Sequence, residues 1–344
     1  MSKRIQLRSV LGFGALIGAG VAVRALVRRR RRIDLAGKIA VVTGGSRGLG
    51  LVLARELLRR GARVAICARD EDELERARVE LAGLGEVFAS ACDLASRGDI
   101  QRFLTEVRDE LGQIDILINN AGAIVVGPAE LMTIDDYEEA LRTHLWAPLH
   151  AMTAVLPEMR RRRAGRIVNI ASIGGKLAMP HLAPYSASKF ALVGLSAALR
   201  AELAKDRVYV TTACPGLLRT GSPRNAAFRG DHRAEHAWFD IAGSLPLLSM
   251  SAERAAREIL DACACGDPEV VPSLPARLAV LAGAIAPGLV QELAGVVARA
   301  LPAARPGRQE RRTGAESESP LAPSILTALG DAAARRNNEI KPAK

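Results

Sequence analysis

One stretch constrains this chain more than any other: Lys38–Gly61, KIAVVTGGSRGLGLVLARELLRRG. Ile39–Val42 is a short apolar run of the kind a buried parallel strand gives, and it breaks into Thr43–Gly50, TGGSRGLG. A helical pattern follows, with Leu49, Leu53, Leu57 and Leu58 on one side. A glycine-rich turn between strand and helix lets a pyrophosphate approach bare backbone, and the helix N-terminus offers N–H donors and the positive end of its dipole. Gly50, the third glycine, allows close helix–strand packing. A glycine-rich loop alone is a weak signal; here the strand before it and the helix after it are both legible, which is the context the motif needs.

From Lys38 to about Pro272 the same alternation continues. Val64–Ala68, Val87–Cys92, Ile114–Ile118, Arg166–Ala171, Val208–Cys214 and Glu269–Val271 read as further strands. Between them Glu71–Leu84, Ile100–Leu111, Thr133–Arg161, Ala183–Asp206 and Ser251–Cys263 read as helices. This predicts an α/β architecture: a doubly wound Rossmann fold with a seven-stranded parallel sheet, helices on both faces and ligands beyond the carboxyl ends of the strands. Leu217–Met250 has weak periodicity, holds His232, His236, Trp238 and Phe239, and is expected to be a lid or binding loop rather than a plain surface excursion.

The two ends differ from the middle. The formal net charge is +11, but residues 1–33 hold nine basic residues and no acid, leaving 39 basic against 37 acidic residues elsewhere. The basicity is therefore an N-terminal address, and aromatic residues at 3% give little base-stacking capacity, so no nucleic-acid partner is expected. Val10–Val23 is an uncharged apolar run, interrupted by Arg24, extended by Ala25–Val27 and stopped by Arg28–Arg32. It falls short of the ~20 residues of a spanning helix unless Arg24 snorkels, and it fits a short anchor, an interfacial segment or a disordered tail. Membrane contact is the expectation, with the main domain on the cytoplasmic side because the heavier positive cluster follows the run. Without an anchor the protein would be cytoplasmic.

After Pro272, Leu274, Leu278, Leu281 and Ile285 recur at helical spacing, Pro287-Gly288 breaks the helix, and Leu289, Leu293, Val296, Val297, Ala300 and Leu301 form a second stripe. These stripes fit closure over a substrate mouth, dimerisation, a membrane interface or simple packing on the main domain. Residues 305–344 are rich in charge, Ser and Pro and predict a mostly disordered tail. The chain thus divides into an N-terminal segment (1–33), a catalytic domain (34–272), an amphipathic helical extension (273–304) and a tail (305–344). Cys67, Cys92, Cys214, Cys263 and Cys265 form no Cys-x-x-Cys pair and read as reduced, mostly buried thiols, with no metal site indicated.

Tyr185 and Lys189 lie one turn apart on a single helix face. A free phenol ionises near ~10, and a cation held beside it favours the phenolate and lowers that value. Ser172 ends the fifth strand, thirteen residues earlier, where a hydroxyl can steady a carbonyl oxygen. Such a pair on a helix is by itself usually surface chemistry. Together with TGGSRGLG at Thr43–Gly50, NNAG at Asn119–Gly122, and Pro215-Gly216 followed by Thr220, however, residues 38–272 resemble the short-chain dehydrogenase/reductase family.

The resemblance implies that Tyr185 is the general acid in carbonyl reduction and the base in alcohol oxidation, that Lys189 holds the nicotinamide ribose and tunes Tyr185, and that Ser172 orients the substrate oxygen. It assigns cofactor contacts to Thr43, Gly44, Ser46, Arg47, Gly48, Leu49 and Gly50, to Asp93 at the adenine, to Asn120, Ala121 and Gly122, to Pro215 and Gly216, and to Thr220 at the carboxamide. It also implies a homodimer or homotetramer, with the two long helices pairing across a two-fold axis. One position departs from the pattern. His144 stands where the family usually has an Asn that anchors a water in a proton relay, chiefly through its backbone carbonyl. His144 keeps that carbonyl and its imidazole exchanges protons near neutral pH, so it joins the catalytic candidates; a His packed in a helix interface is the alternative.

Cofactor choice is read from the end of the second strand. An acid there accepts hydrogen bonds from the ribose hydroxyls and selects NAD. Ala68 occupies that place, Arg69 follows, and Asp70 reads as opening the next helix. Arg47 lies where NADP-binding members often carry a base, and two guanidiniums can bracket a 2′-phosphate. The expected protein is an NADP(H)-dependent oxidoreductase that interconverts a carbonyl and a secondary alcohol on a lipophilic small molecule. The alternative is a membrane-associated nucleotide-binding scaffold without turnover.

Overall fold

The structure, a computed structural model, describes residues 20, 22–304 and 310–340. Seven strands, β1 (Ile39–Thr43), β2 (Arg63–Ala68), β3 (Val87–Ala91), β4 (Ile116–Asn119), β5 (Gly165–Ile170), β6 (Val208–Ala213) and β7 (Glu269–Val270), form an all-parallel sheet. Their order is β7-β6-β5-β4-β1-β2-β3, so the chain reverses direction across the sheet between β1 and β4. That reversal opens the crevice in which such sheets bind ligands.

The strands are apolar on both sides because both faces are covered. Ala40, Val42, Val64, Ile66, Ile116 and Ile118 pack against α1 (Gly48–Arg59), α2 (Glu71–Ala82) and, later in the chain, the helix Ala252–Cys265. Their neighbours of opposite parity, Val41, Ala65, Leu117 and Ile167, pack against α3 (Arg97–Glu110), α4 (Ala147–Arg162) and α5 (Ala183–Leu203). Truncating one fully buried member, such as Leu53 on α1, to Ala would cost about 2–5 kcal/mol. Asp70 caps α2 by accepting the Glu73 N–H, as its reading as a helix opener requires.

Three regions differ from expectation. The helix expected over 133–161 is interrupted: Ile134–Leu141 passes into a π-helical turn, Arg142–Trp146, before α4. Pro148 has no N–H to offer the His144 carbonyl four residues earlier, which favours a wide turn there. The stretch 217–250 is not a loop but carries the helices Ser222–Asn225 and His232–Ser244. Its apolar side, with Ala237 and Phe239 buried, was masked in the sequence by interleaved His, Glu and Asp.

The third difference is the tail. Residues 310–340 are ordered rather than disordered. Arg312–Thr313 pairs antiparallel with Ala227–Phe228, and a helix, Ala328–Arg336, lies against His232–Ser244. The segment buries small and polar residues, Ser317, Ala322, Thr327, Ala333, Ala334 and Asn337, so hydropathy alone did not reveal a core contribution.

At the other end, residues 22–31 are helical and lead into Ile33, whose N–H donates to Ala264 O at 3.0 Å. Arg28 pairs with Asp267 at 3.1 Å, and the Arg31 guanidinium lies 4.8 Å from the Tyr209 ring centroid. Most of the apolar run Val10–Val23 lies outside the described residues. Among those that are described, no helix is long and apolar enough to cross a membrane. The apolar stripes form two helices, Leu274–Ile285 and Pro287–Ala298, and simple packing on the main domain does not describe them. Leu274, Leu278, Leu281, Ile285, Leu289 and Leu293 are each 55–75% exposed, and only Ala276 is buried.

Candidate active site

The crevice is built on the carboxyl ends of β1, β4 and β5. Gly44 adopts φ +64°, and a Cβ there would lie 2.9 Å from the Ala121 Cα, so this turn requires glycine on both counts. A side chain at Gly50 would drive into the Gly44 carbonyl, which is how α1 comes so close to its turn. Thr43 Oγ1 accepts from the Asn120 and Ala121 N–H groups at 3.0 and 3.3 Å, while the Asn120 amide donates to the carbonyls of Thr43 and Gly44 at 3.1 and 3.0 Å. TGGSRGLG and NNAG, distant in the chain, are thus one hydrogen-bonded unit across the β1–β4 reversal.

On the far side of the crevice stand the chemical groups. Ser172 follows β5, and its Oγ accepts the Gly174 N–H at 3.0 Å. The Tyr185 ring and the Ser172 hydroxyl both flank Gly174, where a Cβ would lie 3.1 Å from Tyr185 Cε1 and 3.5 Å from Ser172 Oγ. One turn along α5, Lys189 Nζ lies 5.7 Å from the Tyr185 ring centroid and donates to Ile170 O at 2.8 Å. Burial raises the Tyr185 pKa, and the neighbouring Ser172 side chain opposes that rise. Burial also pulls Lys189, only 3% exposed, down to about 7. The expected lowering of the phenol by its lysine is not found: burial is the largest influence on both groups and disfavours both charged forms. Pro215 O accepts the Ile173 N–H at 2.8 Å, and a Cβ on Gly216 would lie 3.2 Å from Ala276 Cβ, so the helix Leu274–Ile285 closes this edge.

His144 sits at the π-helical turn, 1% exposed, with its ring edge-on to Tyr185 at 5.4 Å between centroids. Its Nε2 accepts the Ala123 N–H at 3.2 Å, which leaves Nδ1 as the protonated nitrogen, donating to Ser188 Oγ at 2.8 Å. Ser188 in turn donates to the Tyr185 carbonyl oxygen at 2.8 Å. Burial, and next the charge of Lys189, hold the imidazole pKa well below its ordinary value. Both ring nitrogens are thus committed to neighbours.

The remaining candidates are spread along the crevice. Arg69 and Asp93 are exposed beyond β2 and β3, and Asp93 accepts the Ala95 N–H at 3.0 Å. Thr220 is buried beside the glycine turn, its Oγ1 accepting the Ser222 N–H at 3.2 Å. Leu49 lies in the first turn of α1.

Sequence reasoning missed two contributors. Glu73, buried on α2, accepts hydrogen bonds from the Ser46 hydroxyl and from Arg47, the latter at 2.8 Å. It sits within a run of acids on a charged helix, so nothing in the pattern singled it out. The second is Asn337–Glu339. Gly48 N donates to Asn337 O at 2.9 Å, Asn338 Nδ2 donates to Ser46 O at 2.9 Å, and Glu339 lies 3.7 Å from Arg47 Nε.

The family model for short chain dehydrogenases matches residues 38–228. A putative ketoacyl reductase of the granaticin polyketide synthase from Streptomyces violaceoruber is 39% identical over 185 residues, covering 53% of this chain and 68% of that protein. The dehydrogenase/reductase SDR family member 7B of Mus musculus is 32% identical over 287 residues, covering 80% of this chain and 86% of its own. Among solved structures, an actinorhodin polyketide ketoreductase with NADPH aligns with a TM-score of 0.62 at 31% identity, over 69% of this chain and 97% of the other. A Burkholderia phymatum short chain dehydrogenase/reductase in complex with NAD shares the fold, with a TM-score of 0.68 at 24% identity, over 75% and 96% of the two chains.

Proposed function

Because the chain belongs to the short-chain dehydrogenase family, whose members are oxidoreductases acting on small organic molecules, we propose that it interconverts a carbonyl and a secondary alcohol with NADP(H). The observation that carries this reading is the gathering of Ser172 and Tyr185 around Gly174 with Lys189 one turn away, at the mouth of the glycine crevice. When bound, the dinucleotide supplies or accepts the hydride. Ser172 and Tyr185 hold the substrate oxygen between two hydroxyls. Tyr185 Oη gives its proton to that oxygen in reduction and takes it back in oxidation. Lys189 holds positive charge near the phenol, favouring its ionised form during the transfer.

The glycine turn fits such a cofactor, since its glycines put no side chain where a pyrophosphate would lie and α1 begins there. NADP is preferred in this reading, because Ala68 offers no carboxylate and Arg47 and Arg69 offer guanidiniums. His144 acts as a positioning residue, through Ser188 to Tyr185, rather than as a ring-based relay.

The substrate is lipophilic. Tyr185 packs against an apolar cluster that includes Leu182, Phe228 and Phe239, and Ile124 and Trp238 pack against the same cluster. Relatives named as ketoacyl reductases, and a 17-beta-hydroxysteroid dehydrogenase 13 of Rattus norvegicus at 34% identity, agree with a ketone or alcohol of that kind. The exposed leucines of Leu274–Ile285 and Pro287–Ala298 support contact with a membrane surface. Trp146, 50% exposed, and Phe190, 45% exposed, support pairing of two copies through the long helices. A panel of ketones and secondary alcohols with NADPH and NADP tests the activity. Tight cofactor binding with no turnover on any member would favour the scaffold alternative.

A further inference from the structure

We propose that residues 337–339 are a built-in plug of the dinucleotide turn, which the cofactor must displace in order to bind. The proposal rests on reading Thr43–Gly50 as the pyrophosphate site.

Three consecutive tail residues spend their polar groups on that turn. Asn337 O takes the N–H of Gly48, the first residue of α1, at 2.9 Å; this is one of the helix N-terminal donors that a phosphate would use. Asn338 Nδ2 donates to Ser46 O at 2.9 Å and to Glu73 O at 3.0 Å. Its backbone is left-handed, φ +56°, a conformation Asn tolerates. The Glu339 carboxylate is pressed against Gly48, so that a Cβ on that glycine would lie 2.6 Å from Oε1. It also faces Arg47 at 3.7 Å and accepts a hydrogen bond from Asn225. A carbonyl and a carboxylate thus occupy the bare-backbone surface and the arginine that a dinucleotide phosphate requires. The two cannot share it.

The plug is tethered. Ala334 packs on Gly221 and Gly330 on Ser244, while Arg55 donates to Asn337 Oδ1 at 2.9 Å and to Arg336 O at 2.6 Å. Tethering makes the competition intramolecular, so the apparent affinity for cofactor falls by the fraction of molecules with the turn open. The docked state also carries flaws that make it displaceable. Asn337 Nδ2 is buried with no hydrogen-bond partner among the described residues, and Glu339 shares its surroundings with Glu73.

The test uses the full-length protein, titrated with NADPH while nucleotide fluorescence reports binding and hydrogen exchange reports on residues 328–340. Binding is expected to raise exchange across these residues. The double variant Asn338→Ala/Glu339→Ala is expected to bind NADPH at least about fivefold more tightly than wild type. NADPH binding with unchanged tail exchange and equal affinity in the variant would overturn the plug while leaving the cofactor reading intact. Failure of both proteins to bind NADPH or NADH would overturn the cofactor reading and the plug with it.

Discussion

Arg47 Nη1 lies 2.8 Å from Glu73 Oε2, so the base in the glycine turn is already held by an acid from the helix after β2. If Arg47 recognises the adenine ribose phosphate as proposed, this pair sets how strongly it contributes. NADPH is expected to bind more tightly than NADH by at least about tenfold, or ~1.4 kcal/mol. Arg47→Ala and Arg69→Ala should each erode that preference. Glu73→Gln should strengthen it by releasing the guanidinium. Equal dissociation constants for the two reduced cofactors in wild type would show the assignment to be wrong.

Tyr185→Phe removes the proposed proton carrier and keeps the ring that packs against the cluster of Leu182, Phe228 and Phe239. Cofactor affinity should stay within about twofold, while kcat falls by at least about a hundredfold. Retention of most activity would remove Tyr185 from the chemistry. The measurement is steady-state kinetics beside a cofactor titration.

His144 should contribute no ionisation to the pH–rate profile between pH 6 and 8, because burial holds the imidazole neutral throughout. His144→Ala leaves the half-buried Ala123 N–H and the buried Ser188 hydroxyl without this partner and should cost about 1–3 kcal/mol of stability, read by denaturant titration. A rate loss accompanied by loss of a profile limb near pH 6–7 would restore the ring as a relay.

Tail docking should weaken as pH rises. Burial raises Glu339 to about 7, with Glu73 adding to the rise and Arg47 opposing it. Burial likewise raises Asp240 to about 7 where it faces Asp331, with Glu318 adding and Arg224 opposing. Both acids hold a proton more tightly docked than undocked, so their contribution is fully present below the ordinary carboxylate range and is lost as pH climbs through about 7. Protection factors of residues 328–340 should be higher at pH 5.5 than at pH 8.5 after correction for intrinsic exchange. An unchanged or reversed ratio would contradict this sign.

The exposed leucine hairpin should partition onto lipid. Leu281→Lys with Leu293→Lys, at positions each 55% exposed, should leave thermal stability within about 0.5 kcal/mol and reduce sedimentation with neutral phosphatidylcholine vesicles several-fold. Identical sedimentation of wild type and variant would separate the hairpin from any membrane role.

Much of the fold is present in the linear pattern, for a physical reason that particular strands illustrate. Ile39–Thr43 and Val64–Ile66 are apolar on both sides because a parallel sheet is covered on both faces, and that burial is a property of the local sequence. The glycine turn and the Tyr185–Lys189 spacing are likewise local, since close backbone approach and one helical turn are each written within a few residues.

What only the tertiary structure decided are contacts between groups far apart in the chain. Glu73 meets Arg47 across 26 residues, and Asn338 meets Ser46 across 292. Glu73 and Asn338 are polar, stand in charged stretches and carry no periodicity that distinguishes a buried partner from a solvated one. The tail was unreadable for the same reason: it docks through small side chains and hydrogen bonds rather than through an apolar stripe. Hydropathy registers area removed from water, and a segment held by carbonyls, amides and one buried carboxylate removes little of it.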